Sequence, residues 1–203
     1  MKLWKPLVLA SSSPRRISLL KQIGLTVTVR PSHVAEVFDE KKSPAENAAA
    51  LALQKALEIS RTVPEGIIVG ADTIVVVDGL LLAKPETAAE AIGMLELLAG
   101  RTHRVVTGFA LVDRPSGRFL TDVEVTDVTF RPLPREEIEE YVAGGSPMDK
   151  AGAYGIQDDY GAVFVTRIEG CFYNVVGFPL ARFYMRLLEF QSLTAEQEGT
   201  PHD

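Results

Sequence analysis

Apolar positions along the chain switch between two spacings, and each switch marks the boundary between a strand and a helix. Leu7-Val8-Leu9-Ala10 is a short apolar run of strand type that leads straight into Ser11-Ser12-Ser13-Pro14. Beyond it Ile17, Leu20 and Ile23 recur at helical spacing, with Ser13 as N-cap, Pro14 in the first turn and Gly24 as the stop. A short strand follows at residues 27–30, then a polar loop from Pro31 to Glu36. Ser43-Pro44-Ala45-Glu46 has the form of a capping box and opens an Ala/Leu-rich helix reaching Ser60. Ile67-Ile68-Val69 reads as a buried strand, followed by Gly70-Ala71-Asp72-Thr73. Residues 74–77 and 80–83 then flank Asp78-Gly79, a strong two-residue hairpin signal. Thr87-Ala88-Ala89-Glu90 is a second capping box, whose helix ends near Leu98 with Gly100 behind it.

Longer strand patterns at 103–112 and 118–130 are joined by Pro115-Ser116-Gly117. A helix is expected over 135–142, ending at Gly144-Gly145, and a strand over 162–168. Gly177-Phe178-Pro179 introduces a last helix to Gln191, and from Thr194 onward the chain is polar and aperiodic, which predicts a disordered tail. No repeat and no linker marks a boundary, so residues 1–193 are expected to form one domain. Alternating elements of this kind predict an α/β fold, a mixed twisted sheet flanked by helices.

Composition narrows the class. The 203 residues are 46% hydrophobic and 24% charged, as in a soluble globular protein. No apolar run approaches the roughly 20 residues of a membrane span, and the N-terminus lacks a secretory pattern. A net charge of −6 argues against binding a nucleic-acid backbone and makes a small anion the expected partner of any local basic cluster. The one cysteine, Cys171, excludes an internal disulfide framework, suits a cytoplasmic location and reads as a packing residue. His33, His103 and His202 are scattered without zinc-ligand spacing, so a metal here is expected to be a hard cation held by carboxylates and phosphates.

Arg15 and Arg16 sit at the positive pole of the first helix, where each opposes the macrodipole by about 0.3–1 kcal/mol. Helix amides, the hydroxyls of Ser11 and Ser13 and the paired arginines describe a polyphosphate cradle. An ordinary capped helix with arginines splayed into water accounts for the same hexapeptide. Asp72 follows a buried strand, at the strand end where α/β sheets bind ligands, though an Asp capping a turn fits equally. Glu36 lies in the loop after the second strand, near the same sheet edge or as a solvated acid. Two carboxylates and a triphosphate would complete a magnesium site. Lys55 is at the margin of its helix's apolar face, as a snorkelling lysine would also be. Lys84 is displayed before Pro85, Lys150 stands among small residues, and Gln157 either reaches a base edge or finishes a turn.

Together these segments resemble the Maf family of nucleoside triphosphate pyrophosphatases. The resemblance is carried by Leu9-Ala10-Ser11-Ser12-Ser13-Pro14-Arg15-Arg16, Pro31-Ser32 through Glu36, Gly70-Ala71-Asp72-Thr73-Ile74-Val75, Lys84-Pro85, Gly100-Arg101-Thr102-His103 through Gly108, the stretch from Asp149 to Gln157, and Asn174-Val175-Val176-Gly177. It implies a two-lobed ITPase-like domain with a central cleft, and cleavage of a nucleoside triphosphate between its α and β phosphates. Asp72 matches the family's proton acceptor; Glu36, Lys55 and Lys84 match other active-site positions. Arg15, Thr73 and Gln157 match positions tied to substrate choice, in the combination of the subgroup acting on dTTP and UTP. The resemblance further implies a divalent cation, a cytoplasmic homodimer and removal of modified nucleotides; the mechanism expected on these residues puts Mg2+ or Mn2+ on Glu36 and Asp72, with Ser11, Ser13, Arg15, Arg16, Lys84 and Lys150 as phosphate contacts. A purine-directed enzyme acting on ITP or XTP and a non-catalytic sensor of septum formation are the alternatives. Ala35, Ser146 and Asp158-Asp159 depart from the family pattern.

Overall fold

The computed structural model describes residues 5–157 and 160–195; the acidic pair Asp158-Asp159 and the expected disorder of 196–203 lie outside the described residues. In chain order the elements are β1 (Leu7–Leu9), α1 (Pro14–Gln22), β2 (Val27–Val29), α2 (Pro44–Ser60), β3 (Gly66–Val77), β4 (Leu80–Leu82), α3 (Ala88–Leu98), β5 (Thr102–Arg114), β6 (Phe119–Phe130), α4 (Arg135–Ala143), β7 (Val165–Glu169), α5 (Phe172–Val176) and α6 (Leu180–Ala195). Short 3-10 turns occupy Ser146–Asp149, Ala151–Ala153 and Tyr160–Phe164. The strands follow the order β2-β1-β3-β5-β6-β7, with β4 paired to β3. β1 is parallel to β2 and β3, whereas β4 on β3 and β7 on β6 are antiparallel, which makes the sheet mixed.

The helix starts follow the chemistry read from the sequence. Ser13 caps α1 by accepting from the Arg16 amide. Ser43 and Glu46 form the reciprocal capping box of α2, with Oγ and Oε2 each accepting the other's backbone N–H. At α3 only half of the expected box forms: Thr87 Oγ1 accepts from Glu90, but the Glu90 carboxylate takes the amide of Glu86. Asp78 (φ 48°) and Gly79 (φ 80°) both have positive φ, the requirement of the tight hairpin between β3 and β4.

Other expectations are corrected. Gly70-Ala71-Asp72-Thr73 does not interrupt a strand; β3 runs through it without a break. The strand expected at 162–168 begins only at Val165, because Tyr160–Phe164 is a 3-10 turn. α6 continues through Ala195, and the expected tail residue Thr194 is buried, its hydroxyl donating to the carbonyls of Phe190 and Gln191. By its contacts the described chain divides into two compact units. The first comprises the chain up to Asp72, Thr107–Glu124 and the chain from Gly177; the second comprises Thr73–Val106 and Val125–Val176.

In the first unit α2 lies directly on the strands. A Cβ on Gly70 would sit 2.0 Å from the Ala52 carbonyl oxygen, and one on Gly108 would sit 2.4 Å from that of Ala48. Val8, Ala10, Ile68, Ala110 and Val112 pack with Ala52, Ala56 and Ile59 on this face. Phe109 alternates to the opposite face and meets Phe178 and Phe183, so α6 covers the other side. In the second unit α3 and α4 pack together over a core of Val75, Val77, Leu95, Val105, Phe130, Tyr141, Tyr154 and Phe164.

Candidate active site

Three strand ends build the site of the first unit. Leu9 pairs in parallel register with Val29 on one side and Val69 on the other. Ser11, the loop 31–36 and the Ala71-Asp72 pair therefore all leave or pass the same carboxyl edge, where α/β sheets place ligands. Side chains alternate along a strand, so Asp72 shares the face of Gly70 and Ile68 and points toward α2. Gly70 lets α2 approach closely enough for Lys55, one turn beyond Ala52, to reach it. Lys55 Nζ donates to Asp72 Oδ1 and to Glu36 Oε1, at 2.6 Å each. The side chains of Lys55, Asp72 and Glu36 are 10%, 5% and 37% exposed, so the group is buried at one end and wet at the other.

Burial pushes the Asp72 carboxyl above its ordinary range; Lys55 and Arg16 pull against that rise, and Glu36 adds to it. A carboxylate destabilised in this way holds a proton more readily than a free one, the property wanted of a base. Arg16 does not splay into water. Its Nε donates to the Gly177 carbonyl at 3.1 Å, and Nη1 to the Ala71 carbonyl at 3.0 Å and Ser11 Oγ at 3.3 Å. Burial lowers the affinity of this guanidinium for its proton, Asp72 restores it, Arg15 opposes and Glu36 supports; an arginine stays cationic throughout. Arg15 thus stands close enough to Arg16 to be felt by it, and Ser13 is the cap of the same helix.

Glu36 sits in a loop without regular structure and owes its place to contacts that sequence reading missed. Glu58, three residues after Lys55 on α2, accepts from Ser32 Oγ and from the His33 amide through Oε2. Ser32 Oγ in turn accepts from the Val34 amide. The Ser32 hydroxyl, then the His33 amide, hold the Glu58 carboxyl below the usual range. The i, i+3 spacing of Lys55 and Glu58 was the available signal.

Thr73, Lys84, Lys150 and Gln157, also singled out in the sequence, belong to the second unit. Thr73, half-buried, follows Asp72 on β3, and Lys84 is exposed just after β4. Lys150 Nζ donates to the Ser146 carbonyl at 2.5 Å and to Asp149 Oδ1 at 2.7 Å, and Gln157 is half-buried. The Gly152 amide donates to the Ala83 carbonyl, which sets the segment carrying Lys150 beside the one carrying Lys84.

Glu36 and Asp72 fit a hard divalent cation as partial ligands. The point their carboxylates share is filled by Lys55 Nζ, so a cation would have to be held on their remaining oxygens, and magnesium takes one or two carboxylates with phosphate oxygens and waters. Among the described residues no three or more His, Cys, Asp or Glu side chains converge, so any such ion would share its shell with substrate.

A family model described as Maf-like protein matches residues 6–190. A dTTP/UTP pyrophosphatase of Bacillus cytotoxicus is 48% identical over 188 residues, covering 93% of this chain and 97% of that relative. One from Symbiobacterium thermophilum is 50% identical over 184 residues, covering 91% and 93%. The solved structure of the Staphylococcus aureus Ham1 protein is similar with a TM-score of 0.46 at 16% identity, covering 90% of this chain and 98% of that one.

Proposed function

This chain belongs to the Maf-like family, and on that premise we propose that it hydrolyses dTTP and UTP to the monophosphate and pyrophosphate. The observation that carries the reading is Lys55, held at 2.6 Å by both Glu36 and Asp72 at the carboxyl edge of parallel strands. Water attacks the α-phosphorus, and Asp72, with its raised proton affinity, orients that water and takes its proton. Lys55 keeps the two acids in register and balances part of their charge. Arg16 braces the Ala71 carbonyl, the residue before the base, and so fixes where the carboxylate points.

Ser11, Ser13, Arg15 and Arg16, with the N-terminus of α1, favour a phosphate by hydrogen bonding and dipole. On the family reading Lys84 and Lys150 grip the triphosphate, while Thr73 and Gln157 choose the base. A magnesium or manganese ion on Glu36 and Asp72 would supply Lewis-acid polarisation and neutralise phosphate charge. The family resemblance also supports a cytoplasmic homodimer that clears modified nucleotides. Among the described residues no helix is long and apolar enough to cross a membrane.

Pyrophosphate release measured across natural and modified triphosphates, with magnesium and with manganese, tests the proposal. Turnover greatest on dTTP and UTP supports it; orthophosphate as the product, or no turnover on any nucleotide, rejects it.

A further inference from the structure

We infer that the hydrogen bond between His103 and Tyr154 is a positioning device that fixes the backbone path from Lys150 to Gln157 and thereby sets base selectivity. The inference rests on Gln157 contacting the base, as proposed above.

His103 Nε2 and Tyr154 Oη are 2.7 Å apart in the core of the second unit, where the residues are 2% and 6% exposed. Both rings pack edge-on against Phe130, at 4.9 and 4.7 Å between centroids. His103 Nδ1 is buried with no hydrogen-bond partner. Burial lowers the imidazole pKa to about 4, so the ring is neutral at neutral pH, with one N–H and one lone pair. Whichever nitrogen faces Tyr154, the other leaves a donor or acceptor unmatched. A core selected only for stability would do as well or better with two apolar rings, because replacing both partners of a buried hydrogen bond is nearly neutral. The pair therefore serves something other than packing.

That role is visible in the adjoining backbone. Tyr154 stands four residues after Lys150 and three before Gln157. Ala153, fully buried, is left-handed at φ 61°, where a side chain is strained. Gly152 precedes it at φ 70°, and a Cβ there would lie 3.0 Å from Val75 Cγ2. Strained paths persist only where their surroundings over-determine them. Three restraints do so here: the Gly152 amide on the Ala83 carbonyl, the Ala153 amide on the Lys150 carbonyl, and the Tyr154 hydroxyl on His103. Of these three only the last is a side-chain hydrogen bond, and its loss removes the polar restraint on the extended residue that leads to Gln157 while the ring stays packed on Phe130.

The test compares Tyr154→Phe and His103→Leu, which delete the bond, with His103→Gln, whose amide reaches the same point. Steady-state pyrophosphate release is measured on UTP, dTTP and CTP, with thermal melting as a check of folding. The deletions should raise KM for UTP and dTTP about tenfold and lower the UTP-to-CTP ratio of kcat/KM by a similar factor, the scale of one lost hydrogen bond. Their kcat should stay within about twofold, and His103→Gln should restore the ratio. Should His103→Leu fail to fold, Tyr154→Phe decides alone, since it removes one oxygen from a ring that stays packed. An unchanged ratio in Tyr154→Phe, or a loss confined to kcat, overturns this inference while leaving the pyrophosphatase reading intact. A wild-type chain that releases no pyrophosphate overturns both.

Discussion

Lys5 meets Asp113 at 2.8 Å with both side chains almost wholly enclosed, whereas Lys55 meets Asp72 at 2.6 Å and shares its ammonium with a third, half-wet residue, Glu36. Both pairs lie in the first unit, and both take charge out of water at a cost. Asp113 spends its second oxygen on the Ser116 hydroxyl at the turn between β5 and β6, so donors of the protein occupy both oxygens. The Lys55 group instead has two acids for one lysine, and its excess negative charge is moderated by Arg16. A matched and sealed pair fastens the chain to itself. The Lys55 group, by contrast, keeps one member, Glu36, 37% exposed at the strand edge.

Breaking each pair should give opposite phenotypes. Asp72→Asn should lower kcat about 10³-fold, within the usual range for losing a general base, measured by pyrophosphate release. Its melting temperature should hold or rise, because a carboxyl whose charge is disfavoured by burial has been replaced by a neutral amide. Full turnover in this variant would remove Asp72 from the chemistry. Asp113→Ala leaves the Lys5 charge buried and should cost about 3–5 kcal/mol in urea denaturation. Its kcat per folded molecule should match wild type; a greater loss would place Asp113 in the working machinery.

The neutral His103–Tyr154 pair supplies a third case, read by pH. In the unfolded chain His103 binds a proton near pH 6.5, and in the fold only at about 4. Its contribution is therefore complete above 6.5 and lost as pH falls toward 4, about 3 kcal/mol in all. Denaturation curves for His103→Gln should be flatter over that window; an identical slope would show that the buried imidazole is not the group titrating. The smallest effect concerns Glu58. Glu58→Ala releases Ser32 and His33, and should raise KM a few-fold through a loosened Glu36 with little change in melting. No change in KM would show that the Glu58 contacts do not help to hold Glu36 in place.

Local chemistry was legible in the sequence. Ser13, Ser43 and Thr87 cap where they should, Asp78-Gly79 turns the expected hairpin, and the strand-end acids and cations stand out by type. Contacts made across the fold were not. Gly70 and Asp72 look like turn residues because their reasons are distant: Gly70 admits the Ala52 carbonyl, and Asp72 faces Lys55. Lys55 has the spacing of a snorkelling lysine, and only the close packing of α2 on β3 turns it inward. Thr194 is polar and near the end, yet its hydroxyl bonds to helix carbonyls, which hides its polarity within α6. α5 is five residues long, too short for periodicity to register. Nothing local announces that Arg16 would bind the carbonyls of Ala71 and Gly177.

That last contact has a consequence for the timing of synthesis. Arg16 and Gly177 are separated by 161 positions, so the guanidinium emerges from the ribosome long before one of its anchors exists. At ordinary elongation rates of about 5–20 residues per second, the interval is roughly 8–30 s. A nascent chain over that interval carries Asp72 and Lys55, and Arg16 can reach Ser11 and Ala71, while its third anchor, the Gly177 carbonyl, is still to be made.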